Sequence, residues 1–260
     1  MTDTASRARR LQELHAASEI LVLANVWDVV SAQVVAAVPG VKALATASHS
    51  IASTFGYPDG EVISLDLHLS MVERIVNAVH VPVTMDFEAG YGNPGHTARR
   101  AMDVGVVGGN LEDQMKPLDE AVAAVSGVVT AGQTAGIPFC LNARTDAMIK
   151  APADADPAAL LAEVIRRGRA FLDAGATSFF VPRLLDPAAI EQVVAALGRG
   201  KLSLIAVPGL GPSVKEMEAL GVCRVSTGPF TQRVALTALQ DVTVELVAGG
   251  ALPPGTRALN

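Results

Sequence analysis

Cysteine is scarce. Only Cys140 and Cys223 occur in 260 residues, and both lie in apolar, strand-like contexts. That excludes a disulfide framework or a cysteine-rich metal cluster as the organising device, and reduced core thiols are the expectation. The sequence leaves a single bridge between the two open. Positive charge is also short: 20 Lys and Arg stand against 26 Asp and Glu, a net charge of −6. A chain with this balance is not expected to bind nucleic acid or an anionic membrane surface. No apolar run is long and uninterrupted enough to span a bilayer. No basic N-terminal region leads into an apolar segment, so no secretory signal is read and a cytoplasmic protein is expected. No Gly-x-Gly-x-x-Gly follows the first strand-like segment, which weakens an open dinucleotide-binding sheet.

What is present is apolar residue in quantity, half of the chain, enough for a large core. It is rhythmically placed. Short apolar runs at residues 20–24, 41–45, 81–85, 106–111, 137–141, 178–181, 202–207 and 223–225 read as eight strands. Segments of helical spacing separate them, at 29–38, 65–80, 97–104, 119–135, 158–174, 187–197 and 213–220, and a last one at 231–247 follows the eighth strand. Strand–helix alternation implies parallel strands with crossover helices. Eight repeats in a chain of this size predict one α/β domain over 1–260, a closed (β/α)8 TIM barrel. Residues 1–6 are expected to fray, 7–17 to form a leading amphipathic helix, and 249–260 an extended tail. Asp156-Pro157 and Asp186-Pro187 predict helix starts. Gly105, Gly136, Gly175 and Gly221 predict left-handed helix ends.

Functional groups of such barrels sit where strands end. The third strand runs into Asp86-Phe87-Glu88-Ala89-Gly90-Tyr91-Gly92. Side chains two apart on an extended chain point the same way, so Asp86 and Glu88 are expected to face one point. Close like charges favour a shared cation or proton, and hard divalent ions prefer carboxylate and water oxygens. The bland alternative is a strand-to-helix turn with solvated acids. Asn25, Trp27 and Asp28 follow the first strand. Thr46, Ser48, His49 and a long loop with Asp59 follow the second. Glu112 and Asp113 follow the fourth, and Asn142, Arg144 and Asp146 the fifth. Pro182-Arg183 follow the sixth. A Mg2+ ion held by Asp86, Glu88 and Glu112, largely through waters and with Asp59 joining, would resolve the acid cluster, with Mn2+ able to substitute. Arg144 beside it can clamp a substrate carboxylate, or simply pair with Glu112 or Asp146.

Four ordered motifs carry a resemblance: Gly56-Tyr57-Pro58-Asp59, the Asp86–Gly92 stretch, Asn110-Leu111-Glu112-Asp113, and Asn142-Ala143-Arg144-Thr145-Asp146. With them the chain resembles the isocitrate lyase and phosphoenolpyruvate mutase superfamily from about residue 23 to 228. The resemblance implies a (β/α)8 barrel whose eighth helix is swapped between subunits, a homo-oligomer (a tetramer or a swapped dimer), bound Mg2+, and chemistry through an enolpyruvate-like species. Asp59, Asp86, Glu88 and Glu112 match the metal shell. Thr46, Ala47 and Ser48 match the segment whose backbone amides hold the substrate carboxylate or phosphonate. Arg144, with Asn142 beside it, matches the substrate-binding position.

Two departures narrow the reading. Many members carry aspartate where Glu88 stands. The isocitrate and methylisocitrate lyases carry a Lys-Cys-Gly-His-type loop after the fourth strand. Here Gln114-Met115-Lys116-Pro117-Leu118 follows, with no cysteine or histidine, so a true isocitrate lyase is not expected. The leading expectation is a Mg2+-dependent lyase or decarboxylase that cleaves a carbon–carbon bond in a small 2-oxo or 2-hydroxy (di)carboxylic acid. Arg144 and Glu112 would serve it, with Tyr91, Ser48, Lys116 or water as the proton donor. The rivals are carbon–phosphorus chemistry at the same site and a silent Mg2+-binding barrel with a binding or regulatory role.

Overall fold

Branched apolar residues pack well on a pleated surface, and each run read as a strand is one, with ends moved by up to three residues. In the computed structural model, which describes residues 2–259, the strands are β1 (Leu21–Leu23), β2 (Asn25–Val26), β3 (Leu44–Thr46), β4 (Val83–Asp86), β5 (Gly108–Glu112), β6 (Cys140–Arg144), β7 (Ser178–Phe180), β8 (Leu202–Ile205) and β9 (Arg224–Ser226). The shift runs mostly toward the C-terminal end, because pairing with neighbours carries polar residues into the ladder: Asp86 lies opposite Asn110, and Glu112 opposite Arg144. The apolar lead-ins at Val41 and Ile137 belong to the preceding turns.

All neighbouring strands pair in parallel, in the order β1-β9-β8-β7-β6-β5-β4-β3-β2. The two ends of that order are consecutive in the chain, so the sheet forms a nearly closed α/β TIM barrel. The first strand is thus two: β1 pairs β9, and β2 pairs β3. Asn25 ties this seam. Its Nδ2 donates to Thr46 O at 2.8 Å, and its Oδ1 accepts from the amides of Thr227 (2.8 Å) and Gly228 (2.9 Å).

The helices are α1 (Thr2–Ala16), α2 (Val29–Ala36), α3 (Ser48–Thr54), α4 (Leu65–Ala78), α5 (Pro94–Asp103), α6 (Leu118–Ala135), α7 (Ala147–Lys150), α8 (Pro157–Asp173), α9 (Pro187–Leu197), α10 (Val214–Leu220) and α11 (Phe230–Val247). Helix α1 starts at Thr2, so the fraying expected for 2–6 is not seen; Met1 lies outside the described residues. Asp156 and Asp186 each cap a helix by accepting two backbone amides, with proline at the first helical position. The short helices α3 and α7 were not anticipated; seven and four residues are too few for a period to show.

The main core lies between barrel and helices, around Phe87, Ile75, Phe171 and Phe179. A second cluster closes the N-terminal end, where Ala8, Leu11 and Leu14 of α1 pack on Leu21, Ala43, Val107 and Cys140. Both cysteines are free and buried, and burial pushes the Cys140 thiol up to about 12 and that of Cys223 to about 11. Helix α11 is different. Only Gln232 of it is buried, while Val234, Leu239, Val244 and Val247 are exposed, the last at 85%. Residues 251–259 carry no helix or strand and are exposed. Among the described residues no helix is long and apolar enough to cross a membrane.

Candidate active site at the C-terminal mouth

A cavity of about 530 Å³ opens at the C-terminal ends of the strands. One side is polar and acidic, lined by Asp59, Asp86, Glu88, Asn110, Glu112 and Arg144. The other is apolar, with Ile149, Phe180, Leu185, Ile205, Leu210 and Phe230. This is the concave, part-apolar geometry of a small-molecule site.

Asp86 ends β4. Its Oδ2 accepts from Ser48 Oγ at 3.0 Å, and its backbone amide donates to Thr46 Oγ1 at 3.3 Å. Burial raises its carboxyl above the ordinary aspartate range, against the opposing pull of Arg144 and Ser48. Glu88 reaches the same cavity by a different route from the expected alternation. It lies past the strand end with φ of +53°, a left-handed backbone rarely taken by residues with side chains. Glu88 Oε2 accepts from the Glu61 amide at 2.6 Å, and the Glu61 carboxylate accepts from the Tyr91 amide at 2.6 Å. These reciprocal bonds fix the turn. Burial, with Asp59 and Asp86 adding, pushes the Glu88 carboxyl up to about 7. Gly90 takes φ of +93°, and a Cβ there would stand 2.7 Å from Pro94, so only glycine fits this turn.

Glu112 and Arg144 face each other at the ends of β5 and β6. Arg144 Nη1 lies 3.0 Å from Glu112 Oε2, and its Nη2 2.8 Å from Asp146 Oδ1. The pairing alternative for Arg144 is therefore present, with both acids at once, while the side chain still lines the cavity. Burial lifts Glu112 to about 7, partly offset by Arg144. Asp113, adjacent in the motif, turns away. It is buried, pairs with Arg167 of α8 at 3.0 Å, and accepts from Thr145 Oγ1 and the Met115 and Asp146 amides. It holds the loop, which is short: α6 begins at Leu118.

Helix α3 opens at the mouth. Its N-cap, Ala47, supplies no side-chain acceptor, so the first-turn amides from Ser48 onward lack an intrahelical or capping partner. Ala47, Ser48 and His49 all line the cavity, and a carboxylate is the natural acceptor for such amides.

Of the residues singled out in the sequence, Ala47, Ser48, Asp59, Asp86, Glu88, Glu112 and Arg144 come together around this cavity; Thr46, Tyr91, Asn142 and Lys116 do not line it. Thr46 is buried behind Asp86. Tyr91 stands behind Glu88, its hydroxyl 2.9 Å from His68 Nδ1 and 3.5 Å from Glu88 Oε1, and burial raises its phenol above the ordinary value. Asn142 is enclosed in the barrel, bonded to Asn110, Ser203 and Ser178. Lys116 is exposed, and its backbone carbonyl accepts from Arg167. Among the described residues no three His, Cys, Asp or Glu side chains converge closely enough to ligate one ion directly. The all-oxygen acid set suits a hard divalent ion that keeps waters between itself and most carboxylates.

The model of the phosphoenolpyruvate phosphomutase family matches residues 11–247. The chain belongs to that family. An oxaloacetate decarboxylase from Ectopseudomonas mendocina is 28% identical over 84% of this chain and 77% of its own. A 2,3-dimethylmalate lyase from Eubacterium barkeri is 27% identical over 82% and 77% respectively. Among solved structures, an oxaloacetate acetylhydrolase in complex with the product oxalate superposes with a TM-score of 0.85, at 27% identity over 98% of this chain and 92% of that one. These relatives are named as a decarboxylase, a lyase and a hydrolase, which supports an enzyme of the superfamily here.

Sequence reasoning did not single out Asn110 as a site residue. Its Oδ1 accepts from Asn142 Nδ2 (2.9 Å) and from Arg224 Nη2 (3.0 Å), so its amide is oriented from below while the residue lines the cavity. Arg224, wholly buried in the barrel, was hidden within an apolar strand run; burial pushes it down to about 10.

Proposed function

We propose that this protein is a Mg2+-dependent lyase or decarboxylase that breaks a carbon–carbon bond of a small 2-oxo or 2-hydroxy carboxylic acid through an enolpyruvate-like species. The observation that carries this reading is the meeting of four carboxylates and Arg144 with the uncapped start of α3 around one cavity. Asp59, Asp86, Glu88 and Glu112 would hold the ion. When bound, it would supply Lewis-acid stabilisation of negative charge on the substrate oxygen. The first-turn amides of α3 would bind the substrate carboxylate. Arg144, held by Glu112 and Asp146, would place positive charge beside the developing enolate without having to reorganise. The apolar wall from Phe180 to Phe230 would exclude water and strengthen these interactions. His49 lines the same cavity with its Nδ1 buried and unpartnered, so an imidazole stands within the site alongside Ser48 as a proton source.

Oxalate, a planar mimic of the enolpyruvate dianion, tests the site without knowledge of the substrate. Calorimetry should show oxalate binding that requires Mg2+ in the wild type and is lost in Asp86→Ala. Absence of binding with and without Mg2+ would defeat the reading. The family model matched is that of a phosphomutase, so phosphonopyruvate is the second substrate to assay; its turnover, in place of pyruvate release from a 2-oxo diacid, would move the chemistry to the carbon–phosphorus bond.

The exposed apolar residues of α11 need a cover, and a second copy of the chain is the partner this reading assigns. Light scattering should give a homo-oligomer, and Leu239→Glu should shift it toward the monomer.

A further inference from the structure

The turn after β7 departs from ordinary turn chemistry. Residues 181–184 make a tight reversal, with the Leu184 amide 3.5 Å from Val181 O and Pro182 at the second position. The third position carries φ of +65°, and its occupant is Arg183. A turn with proline second and a left-handed third residue is ordinarily completed by glycine or asparagine. Arginine there holds a strained backbone. The strain is held in place because Val181 and Leu184 on either side are buried in the core. The outcome is that Arg183 lines the cavity.

Two arginines line this cavity, and their charges are in different states. Arg144 is paired with Glu112 and Asp146. Arg183 has no acid partner among the described residues. It is exposed at the rim, and the cavity-lining residues that flank it in the chain, Phe180, Pro182 and Leu185, are apolar. The acids and the uncapped start of α3 belong to the polar side, where one end of the substrate is assigned. A guanidinium without an acid partner at the apolar rim of such a cavity can receive a second anionic group of the molecule bound there.

We propose that Arg183 is a specificity-determining residue that binds the far anionic group of the substrate, a carboxylate in the leading reading, and so selects doubly anionic 2-oxo acids over singly charged ones. This rests on the proposed enolate site for the near end of the substrate. A phosphonate would present the same anionic chemistry, and separate ligands distinguish the two.

The test measures calorimetric affinities with Mg2+ present for three ligands: oxalate, which fills only the near end, 3,3-difluorooxaloacetate, which adds a far carboxylate, and phosphonopyruvate, which adds a far phosphonate. Arg183→Gln and Arg183→Gly are compared with wild type. Glycine suits the left-handed turn, so that variant keeps the fold and should unfold no earlier than wild type. The expected result is a loss of about 10- to 100-fold for difluorooxaloacetate, the effect of removing one charged hydrogen-bond partner, with oxalate changed less than twofold. Arg183→Lys should restore a substantial part of the affinity. A loss confined to phosphonopyruvate would overturn the carboxylate assignment and leave a phosphonate receptor. If both larger ligands bind as in the wild type, or if oxalate weakens equally, the role of Arg183 is overturned while the enolate site stands. If wild type binds no oxalate, the enolate site fails and this proposal with it.

Discussion

At the N-terminal end of the barrel, where helices hand over to strands, every described residue with a left-handed backbone is glycine: Gly40, Gly105, Gly136, Gly175, Gly198, Gly200 and Gly221. At the C-terminal end the same conformation is taken by six residues with side chains, Glu61, Glu88, Tyr91, Gln114, Met115 and Arg183. All six lie in segments that follow strands β3, β4, β5 and β7. One end minimises backbone strain and the other stores it. The packing differs in the same sense. The N-terminal end is shut by Leu11, Leu14 and Ala8 of α1, whereas the mouth keeps a cavity edged by Asp86, Glu88 and Glu112, whose carboxyls burial raises above their ordinary range. Strain and unfavourable charge are tolerated where they place groups for chemistry, and absent where the barrel only needs to hold together.

The largest test of that division is Asp86→Ala. It removes a carboxylate from the mouth and relieves its burial, so thermal unfolding should occur at or above the wild-type temperature. Turnover should fall about 100-fold or more, the upper end of what a lost metal-site partner costs. Arg144→Ala should also lose most turnover with folded content near wild type, although it strands Glu112 and Asp146. Full activity in both variants, read in steady-state assays, would remove the mouth from the chemistry.

The converse substitution is Leu11→Ala. Leu11 is fully buried, and its Cδ2 comes within 2.9 Å of where a Cβ on Gly108 would stand. Truncation leaves a cavity under the barrel at a cost of about 2–5 kcal/mol. Urea unfolding should show that loss, while kcat per folded molecule stays at the wild-type value. A lowered kcat in the folded protein would mean that the two ends are mechanically coupled.

The same contrast separates what is legible in the sequence from what is not. Strands and long helices repeat a pattern over many residues, so eight strands and the helices between them were visible, and the ends of those strands pointed to Asp86, Glu112 and Arg144. Orientation is not carried by such patterns. Glu112 and Asp113 are adjacent acids in one motif, yet one lines the cavity and the other pairs with Arg167 on α8. Arg224 sits in the middle of an apolar run, and nothing in the run says that it turns inward to bond Asn110 and Thr84. Alternation gave Asp86 and Glu88 a common direction, but the left-handed turn at Glu88 is what delivers its side chain. The split of the first strand at Ala24 was equally silent, because it depends on which neighbour each half pairs with.

A smaller effect separates the ends by pH. His15 of α1 is buried, donates from Nδ1 to Leu11 O at 2.9 Å, and is held down to about 4 by burial and by Arg224. The unfolded chain takes up a proton near pH 6.5 and the folded chain does not, so stability is complete above about 6.5 and is lost as pH falls toward 4. The contribution is about 3 kcal/mol. His68 behind the mouth is lowered likewise, whereas Glu88 and Glu112 are raised and act in the opposite sense over about 4.5 to 7. The informative quantity is therefore a difference. His15→Gln should narrow the gap in stability between pH 7 and pH 4 relative to wild type, and leave Mg2+-dependent oxalate binding at pH 7 unchanged. An identical pH profile in the variant would show that His15 is protonated in the folded barrel.

The smallest effects come from the backbone itself. Gly136 ends α6 with φ of +66° and open space around its missing Cβ, so Gly136→Ala costs only the left-handed penalty, about 1 kcal/mol. Gln114 at the mouth has φ of +49°. Gln114→Gly relieves that penalty but adds glycine's unfolded-state freedom of about 0.5–1 kcal/mol, so the net gain in stability is a few tenths at most. It should still be felt in function, because the lost side chain donates from Nε2 to Glu112 Oε1 at 3.4 Å and the freed turn includes the carbonyl that Lys150 Nζ holds at 2.9 Å. The expected pattern is a small drop in melting temperature with unchanged KM for the glycine replaced at the closed end, and an unchanged or slightly higher melting temperature with a raised KM for the glutamine replaced at the open end. If Gln114→Gly is stabilising and kinetically silent, the strain in that loop is incidental to the site, and the case for stored strain rests on Glu88 and Arg183.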